Sequence, residues 1–478
     1  IIGCDLTVGC NIFMEPSVSP DIGNIYKCNK PFIHNYGMQN TFVGINAGNF
    51  TMTGSGKNSA FGEGALQSNV SGDNDIAIGV GALLYNIAGS RNIAIGNEAM
   101  FANSYGLDNT SMGHWALRNN TLGLSNVAIG NHALESNSSG SENVAIGINA
   151  MQTNTTGLFN VAVGSNALMN NTTGSVNAAF GTNALMDNTT GFFNAGIGNY
   201  ALESNTSGMN NVGVGNFALA ANTTGFENAA VGNFALEFNT VGFHNAAFGN
   251  FALVSNTVGV DNTAAGNNAL ESNITGYENV AVGYKSLSAN TAGVRNVSVG
   301  NTALFSNTLG LDNIAVGTDA LESNVLGVSN IAIGTSALQS NISGSDNIAI
   351  GHNAQQANTT GVFNVAVGTN ALAVNTESVN AAFGTNALQN NTTGYFNAAI
   401  GNFTLNSNTT GIQNTAVGTF AAPANTFGSD NTVMGYRVLF SNITGASNVG
   451  VGNYALEQYS GGDFIVTDVL GVPTITQA

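Results

Sequence analysis

Positive charge is what this sequence has least of. Lysine and arginine together number 8 among 478 residues, against 26 aspartates and glutamates, and the formal net charge is −18. A protein that holds a phosphate backbone needs lysine and arginine gathered in a patch, and so few basic residues form none. The composition therefore argues against nucleic acid as a partner.

Long apolar runs and a leader sequence are missing as well. No stretch of 18 or more apolar residues occurs, so the sequence predicts no membrane span. No signal peptide is visible and residue 1 is isoleucine, from which we expect a processed product or a fragment. Low charge and 62 glycines resemble the composition of disordered segments, but 43% hydrophobic residues in a strict pattern predict an ordered fold.

Proline and cysteine are confined to the ends of the chain. No proline occurs from Phe32 to Ala422, which suits regular, paired strands because proline removes a sheet donor. The three cysteines, Cys4, Cys10 and Cys28, precede this region. Since three is odd, at least one is free, metal-bound or paired with another chain, and the spacing fits no zinc pattern. A disulfide clasp and ordinary reduced thiols both stay open.

What the chain does contain is one phrase repeated 25 times. Residues 160–176 read N-V-A-V-G-S-N-A-L-M-N-N-T-T-G-S-V, and the next repeat begins 17 residues later. The first repeat begins at Asn40 and the last at Asn448, and the repeat at Asn364 is one residue short near Ser378. We number positions from the asparagine that opens each repeat. A short fixed period predicts a solenoid, in which each repeat contacts mainly its neighbours.

Glycine decides between helix and strand. It stands at position five of every repeat and at position fifteen of nearly every one, and each would cost a helix interior roughly 1 kcal/mol. We therefore predict two short strands per repeat, one over positions one to four and one near positions eight to twelve. The glycines are predicted to form turn corners with positive φ. In two adjacent repeats these corners are Gly164, Gly174, Gly181 and Gly191.

The first strand is apolar at positions two, three and four. We predict that positions two and four face the interior of the coil, together with the leucine of position nine. Position three, which is almost always small, would then face outwards and need a cover, and the simplest cover is another copy of the chain. This interpretation places four alanines at an oligomer contact: Ala162, Ala179, Ala230 and Ala247.

Asparagine at position twelve is predicted to form a ladder. In a parallel stack these side chains lie about 4.8 Å apart, where their amides can hydrogen-bond along the stack. Many of them also open an N-glycosylation sequon, but a glycan on every rung would crowd its neighbours. Four consecutive members are Asn171, Asn188, Asn205 and Asn222.

Aromatic and acidic residues also recur at fixed positions. Aromatics at position seven, such as Tyr200 and Phe217, are interpreted as stacking ladders, with sugar binding as the alternative. Acids such as Glu135 at position ten and Asp108 at position seventeen alternate with neutral residues, which indicates a solvated charged face. The calcium-binding nonapeptide is absent. We predict no catalytic, metal-binding or cofactor-binding residue.

The phrase N-V-A-V-G-x-N-A-L-x-x-N-T-T-G resembles the repeats of bacterial and viral tail-fibre-like proteins. It is similar, more distantly, to the head repeats of trimeric autotransporter adhesins, whose shorter units contain S-V-A-I-G. The resemblance covers Asn40 to Leu456. It implies trimeric parallel β-rolls, a location outside the cell or on a virion, and a role in attachment.

The combined expectation is an all-β, parallel β-solenoid (β-roll) of 25 rungs of 17 residues, assembled as a homotrimer. It consists of an N-terminal cap or attachment segment (1–39), a solenoid shaft (40–457) and a C-terminal β tail (458–478). We expect a structural fibre or adhesin at an extracellular, cell or virion surface. Its expected partners are further copies of itself, in a trimer or longer filament, and a surface glycan or receptor.

Two other functions stay open at this point. A tail-spike-type enzyme that degrades polysaccharide would need two carboxylates about 5–9.5 Å apart. An ice- or surface-binding solenoid would need a flat, regular row of threonines, whereas threonine here sits at a glycine turn.

Overall fold

The computed structural model describes residues 15–459, 464–468 and 473–477, and the chain divides into two halves, residues 1–227 and 228–478. Both halves are all-β parallel solenoids in which each repeat supplies one three-residue strand over positions two to four. Neighbouring strands pair in register at a step of one repeat, so that Val161 pairs with Ala178. Within these described ranges no helix is long and apolar enough to cross a membrane.

The first half begins with a short antiparallel sheet. Strand β1 (Ile25–Lys27) pairs with β2 (Lys30–His34), and β2 pairs with the first repeat strand, β3 (Thr41–Val43). From β3 onwards the strands of this half are parallel. They are β4 (Ser59–Phe61), β5 (Ile76–Ile78), β6 (Ile93–Ile95), β7 (Thr110–Met112), β8 (Val127–Ile129), β9 (Val144–Ile146), β10 (Val161–Val163), β11 (Ala178–Phe180), β12 (Ala195–Ile197) and β13 (Val212–Val214).

The second half continues the same pattern. Its repeat strands are β14 (Ala229–Val231), β15 (Ala246–Phe248), β16 (Thr263–Ala265), β17 (Val280–Val282), β18 (Val297–Val299), β19 (Ile314–Val316), β20 (Ile331–Ile333), β21 (Ile348–Ile350), β22 (Val365–Val367), β23 (Ala381–Phe383), β24 (Ala398–Ile400), β25 (Thr415–Val417), β26 (Thr432–Met434) and β27 (Val449–Val451). Strand β28 (Phe464–Asp468) adds in parallel to β27, and β29 (Pro473–Gln477) pairs antiparallel with β28.

The predicted facing of the repeat strand is wrong. The middle residue, position three, is buried in all 25 repeat strands, whereas positions two and four are half-buried or exposed. Ala162, Ala179, Ala230 and Ala247 are each 0% exposed within a single chain, so they cannot form the predicted oligomer contact. They lie inside the coil with the alanine of position eight and the leucine of position nine, which are also buried.

The width of the coil explains why position three is small. A Cβ on Gly196, at position three, would lie 3.4 Å from Leu185 of the preceding rung, so the two positions share one space. In the first repeat, position nine is Gly48, and position three is Phe42, which is buried in the room that the leucine leaves. A Cβ on Gly48 would lie 2.6 Å from the Phe42 ring. The interior therefore holds a constant volume rather than a second layer of large side chains.

The second predicted strand is replaced by consecutive tight turns. Asn166, Leu168 and Val176, at positions seven, nine and seventeen, have φ of 57°, 51° and 59°. Such left-handed residues cannot belong to a strand and cost roughly 1–2 kcal/mol each. The turn still bonds along the stack, because Leu168 N donates to Ala184 O at 3.0 Å. Each rung is thus one short strand closed by a chain of turns.

A pair of substitutions in β14 tests the facing of the strand. Ala230→Leu should lower the free energy of unfolding by about 1–3 kcal/mol, since it overfills a closed interior. Ala229→Leu, one residue away on the outer side, should change it by about 0.5 kcal/mol or less. Denaturant unfolding monitored by circular dichroism measures both. A larger loss of stability for Ala229→Leu than for Ala230→Leu would show that position two, and not position three, faces the interior.

Candidate functional site

The twelfth-position ladder is present as the sequence predicts. Asn188 Nδ2 donates to Asn171 Oδ1 at 2.8 Å, and Asn205 Nδ2 donates to Asn188 Oδ1 at the same distance. Asn171, Asn188, Asn205 and Asn222 are 0% exposed. A glycan could not be attached to these buried amides in the folded chain, so the sequons are a by-product of the ladder.

A second ladder, at position one, was missed by the sequence analysis. Asn177 donates its backbone N and its Nδ2 to Asn160 Oδ1, at 3.0 and 3.2 Å. The signal was visible, since position one is asparagine in every repeat except at Asp75, but we treated it only as the start of the repeat. In both ladders the donors point towards the preceding rung, although the twelfth-position ladder is interrupted at Asn358 and Asn375, whose Nδ2 groups donate to Gly361 O and Glu377 O. The carboxamide dipoles are therefore aligned and strengthen one another.

The glycine of position fifteen joins the two ladders, and its predicted role as a positive-φ corner is wrong. Gly191 O accepts from Asn188 Nδ2 at 3.1 Å and from Asn177 Nδ2 at 2.8 Å. Gly174 and Gly191 do not have positive φ. A Cβ on Gly191 would crowd Asn188 Oδ1 and lie 2.9 Å from Asn205 Nδ2. Glycine is required here for space beside the amides.

The glycine of position five has the conformation that the sequence predicts. Gly164 and Gly181 have φ of 141° and 137°. The two residues also stack closely, because a Cβ on Gly164 would lie 2.7 Å from the carbonyl carbon of Gly181. Both backbone conformation and close approach exclude a side chain at this corner.

In one rung of the second half glutamine replaces the leucine of position nine in the interior. Gln355 occupies position nine, where most repeats have leucine, and it is 0% exposed. Its Nε2 donates to Ile348 O at 2.9 Å, but its Oε1 is buried with no protein partner. The Oδ1 of Asn341, in the preceding rung, is also buried without one. A buried acceptor without a donor costs about 1–3 kcal/mol, so these two rungs are less stable than rungs with complete hydrogen bonding.

Asp75 takes the place of an asparagine in the position-one ladder. It is 0% exposed, and its Oδ1 accepts from Asn92 N at 2.9 Å, while its Oδ2 accepts from Asn86 Nδ2 at 3.1 Å. Burial raises the pKa of the Asp75 carboxyl to about 7, although hydrogen bonds from Asn92 lower it in part. The ladder therefore contains one proton-sensitive step.

The rows of polar and aromatic residues on the surface bond along the stack. Tyr200 and Phe217 stack with ring centroids 4.7 Å apart and planes 4° from parallel, so much of each ring face is covered by its neighbour. Arg91 and Asp108, one repeat apart at position seventeen, form an ion pair at 2.6 Å. Thr172 Oγ1 donates to Thr189 O at 2.9 Å. These contacts reinforce the repeat.

Glu135 shows how the acids at position ten are held. Its Oε2 lies 2.8 Å from His132 Nδ1 and accepts from Gln152 Nε2 at 2.9 Å. Partial burial raises the pKa of the Glu135 carboxyl, but these two hydrogen bonds together with the positive charges of His132 and Arg118 lower it more, and the net pKa is below the usual value. This carboxylate is ionised and already bonded. Among the described residues no group of three His, Cys, Asp or Glu side chains could hold a metal ion.

The most continuous feature of the surface is apolar. Position four is apolar in all 25 repeats. In 17 of them the side chain is Val, Ile, Phe or Met and is exposed by 36–56%. Position two, on the same side of the strand, is apolar, serine or threonine throughout. We call positions two and four together the outer apolar face. Monomeric proteins seldom expose so continuous a patch unless it contacts a partner.

Only one of the three cysteines lies within the described residues. Cys28 is exposed and unpaired, with φ of 52°, in the turn between β1 and β2. Cys4 and Cys10 lie outside the described residues, so the disulfide hypothesis stays a prediction. Comparison with protein-family models and with curated protein sequences gave no match.

The pH dependence of stability should reveal Asp75. Folding raises the pKa of the Asp75 carboxyl from 3.8 to about 7, so protonation of this carboxyl favours the folded state. This contribution to the free energy of unfolding is complete below about pH 4 and is lost as the pH rises to about 7. Asp75→Asn should remove this loss and stabilise the protein at pH 8, by up to about 4 kcal/mol at ~1.4 kcal/mol per pKa unit.

Denaturant unfolding at pH 5 and pH 8 measures the effect. Asp346→Asn, a change at an exposed acid of the second half, serves as the control and should leave the difference in stability between the two pH values as it is in the unmodified chain. A profile of Asp75→Asn that matches the unmodified chain would show that Asp75 is ionised when folded.

Gln355→Leu should stabilise the protein, although most substitutions destabilise. It restores the residue found at position nine of neighbouring rungs and removes a buried acceptor that has no protein partner, a gain of about 1–3 kcal/mol. Gln356→Leu, at the adjacent partly exposed position, is the control and should be nearly neutral. Amide hydrogen exchange at residues 354–358 should slow only in the first variant, and faster exchange there would contradict the assignment.

Proposed function

We propose that this chain is a structural fibre or adhesin, which acts at an extracellular, cell or virion surface and serves attachment as a homotrimer. The observation that carries the proposal is the uniformity of the surface chemistry. The same ladders, glycine corners and outer apolar face recur rung after rung, so surface properties are multiplied along the stack instead of being gathered at one place. The resemblance to tail-fibre-like repeats supports the same function.

The contacts of the polar rows favour this function over the two alternatives. A glycoside-cleaving site needs one carboxyl held protonated beside an ionised one. At position ten, Glu135 has a lowered pKa and is engaged by neighbouring side chains. The pKa of Glu237 is raised by burial, and that of Glu203 is raised by burial and, to a lesser extent, by Asp187. The threonine hydroxyl groups at position thirteen donate to the backbone carbonyl of the next rung, as Thr172 Oγ1 does to Thr189 O.

Three measurements on the purified full chain test the proposal. Light scattering coupled to gel filtration should give a mass three times that of the 48.5 kDa chain. The fluorescently labelled protein should bind saturably to intact cells or to an immobilised surface-glycan array. Incubation with capsular polysaccharide or lipopolysaccharide should release no reducing sugar, and such release would overturn the proposal in favour of a tail-spike-type enzyme.

A further inference from the structure

One surface motif occurs twice, once in each half of the chain. Position seventeen of three successive repeats reads Phe, Val, Phe, and position two of the repeats that follow the valine and the second phenylalanine is alanine. No other three successive repeats have this combination. In the first half the five residues are Phe159, Val176, Phe193, Ala178 and Ala195, and in the second half Phe363, Val379, Phe396, Ala381 and Ala398.

In the second half these residues form a slot. Phe363 and Phe396, 59% and 54% exposed, stand on either side of a shallow cavity of about 260 Å³ lined also by Val379, Ala381 and Ala398. The two phenylalanines lie two rungs apart, which is roughly 9.6 Å. Aromatic rings pair at centroid distances of about 4.5–7 Å, so one further ring fits between them. Phe159 and Phe193 are exposed to a similar degree in the first half.

Each slot has a matching projection on the same rung. Phe383 stands at position four of the strand whose position two is Ala381, and it is 41% exposed. Phe180 stands in the same relation to Ala178 and is 40% exposed. The two positions lie on the same side of the strand, about 7 Å apart. We call Phe180 and Phe383 the knobs, and each knob is at the same height as its own slot.

We propose that copies of this chain associate side by side through the outer apolar face, parallel and in register, with the knobs of one copy seated in the slots of the next. This inference rests on the proposed function, whose self-assembly it assigns to a surface. Within each half, a rotation axis parallel to the stack of rungs brings the knob of each copy opposite the slot of its neighbour at the same height. A slip of one rung would separate every knob from its slot.

The pairing of sizes on the outer apolar face supports a second copy as the occupant. In all four strands with phenylalanine at position four, position two is alanine or serine. Where position four is valine or isoleucine, position two can also be valine or isoleucine. Solvent imposes no such limit on the summed volume of two side chains. A facing surface does, because knobs and holes must interdigitate at close-packed density.

The spacing of the face also specifies its partner. Its side chains recur at the strand separation, about 4.8 Å, along the 11 repeat strands of the first half and the 14 of the second. Another stack of the same repeat presents apolar side chains at that pitch. At roughly 50 Å² of exposed apolar area per rung, the 11 strands offer about 550 Å², and position two brings this towards the ~800 Å² per partner of a stable interface.

The chemistry of the slot excludes a glycan as its occupant. A sugar needs hydrogen-bond partners as well as an apolar platform, and the polar side chains lining this slot are Asn380 and Asn397. Their Nδ2 groups already donate to Gly394 O at 3.0 Å and to Gly411 O at 2.8 Å. The lining therefore offers apolar contact, which suits a phenylalanine ring.

Two double variants of the full chain test the contact. Phe180→Ala with Phe383→Ala removes the knobs, and Ala178→Ile with Ala381→Ile fills the floors of the slots. Isoleucine stands at position two of other rungs, for example Ile331, so the fold should accept it. Phe61→Ala with Phe248→Ala is the matched control, because these phenylalanines at position four have polar or charged neighbours at position seventeen, such as Asn74 and His244.

Light scattering with gel filtration, run over a dilution series, measures association, and circular dichroism checks folding. We expect the unmodified chain and the control to be oligomers, and both test variants to be folded with association at least tenfold weaker. A monomeric unmodified chain overturns the inference. Test variants that associate as tightly as the control overturn it too.

Disulfide trapping tests the register. In a chain with Cys4, Cys10 and Cys28 changed to serine, Ala178→Cys with Phe180→Cys should give covalent oligomers on oxidation. In the control, Ala178→Cys is combined with Ile146→Cys, which lies at position four two rungs away. This pair should give no covalent oligomers. Equal trapping of both pairs overturns the in-register contact.

The outcomes separate this inference from the proposed function. Oligomers that survive all variants and still bind a glycan surface leave the attachment role standing and remove this contact. Knob-dependent oligomers that bind no surface keep the contact and remove the attachment role.

Discussion

The structure depends on a buried junction that recurs in nearly every rung, where two asparagine ladders meet a single carbonyl. Gly191 O accepts from both Asn177 and Asn188, so both ladders are fixed to the backbone at the same point. The junction even survives the loss of a residue. In the short repeat Glu377 O accepts from Asn364 at 2.8 Å and from Asn375 at 2.6 Å. A turn can therefore vary provided that one carbonyl stays between the two amides.

The same junction leaves a narrow interior, and the small volume of this interior determines which side chains stay on the surface. Position three, position eight and position nine fill the coil, and position three is alanine, glycine or serine wherever position nine of the preceding rung is leucine. The Val, Ile and Phe side chains of positions two and four cannot enter and remain on the surface. The exposed apolar area is thus a geometric result of the closed core, and it gives the chain a surface that favours association with an equally apolar one.

The sequence alone predicts the period, the repeat strand and the twelfth-position ladder, because each follows from spacing. It does not predict which side of the strand is inside, since all three of Val161, Ala162 and Val163 are apolar and alternation carries no signal. Variation in size would have been the better guide, because a closed interior holds volume constant while a surface does not. The left-handed Leu168 has no local signature at all, and its conformation follows from the closure of the rung.

The direction of the ladders has a consequence for how the protein is made. Nearly every asparagine of the two ladders donates to the rung before it, so a rung leaving the ribosome meets acceptors that are already ordered, and it presents new acceptors in turn. Phe42 fills the interior of the first rung, and β2 pairs with β3 on the side away from β4. Together they give an ordered rung on which the second rung can form. Folding can therefore follow synthesis one rung at a time, and the entropy lost at each step is only that of 17 residues joining a preformed end.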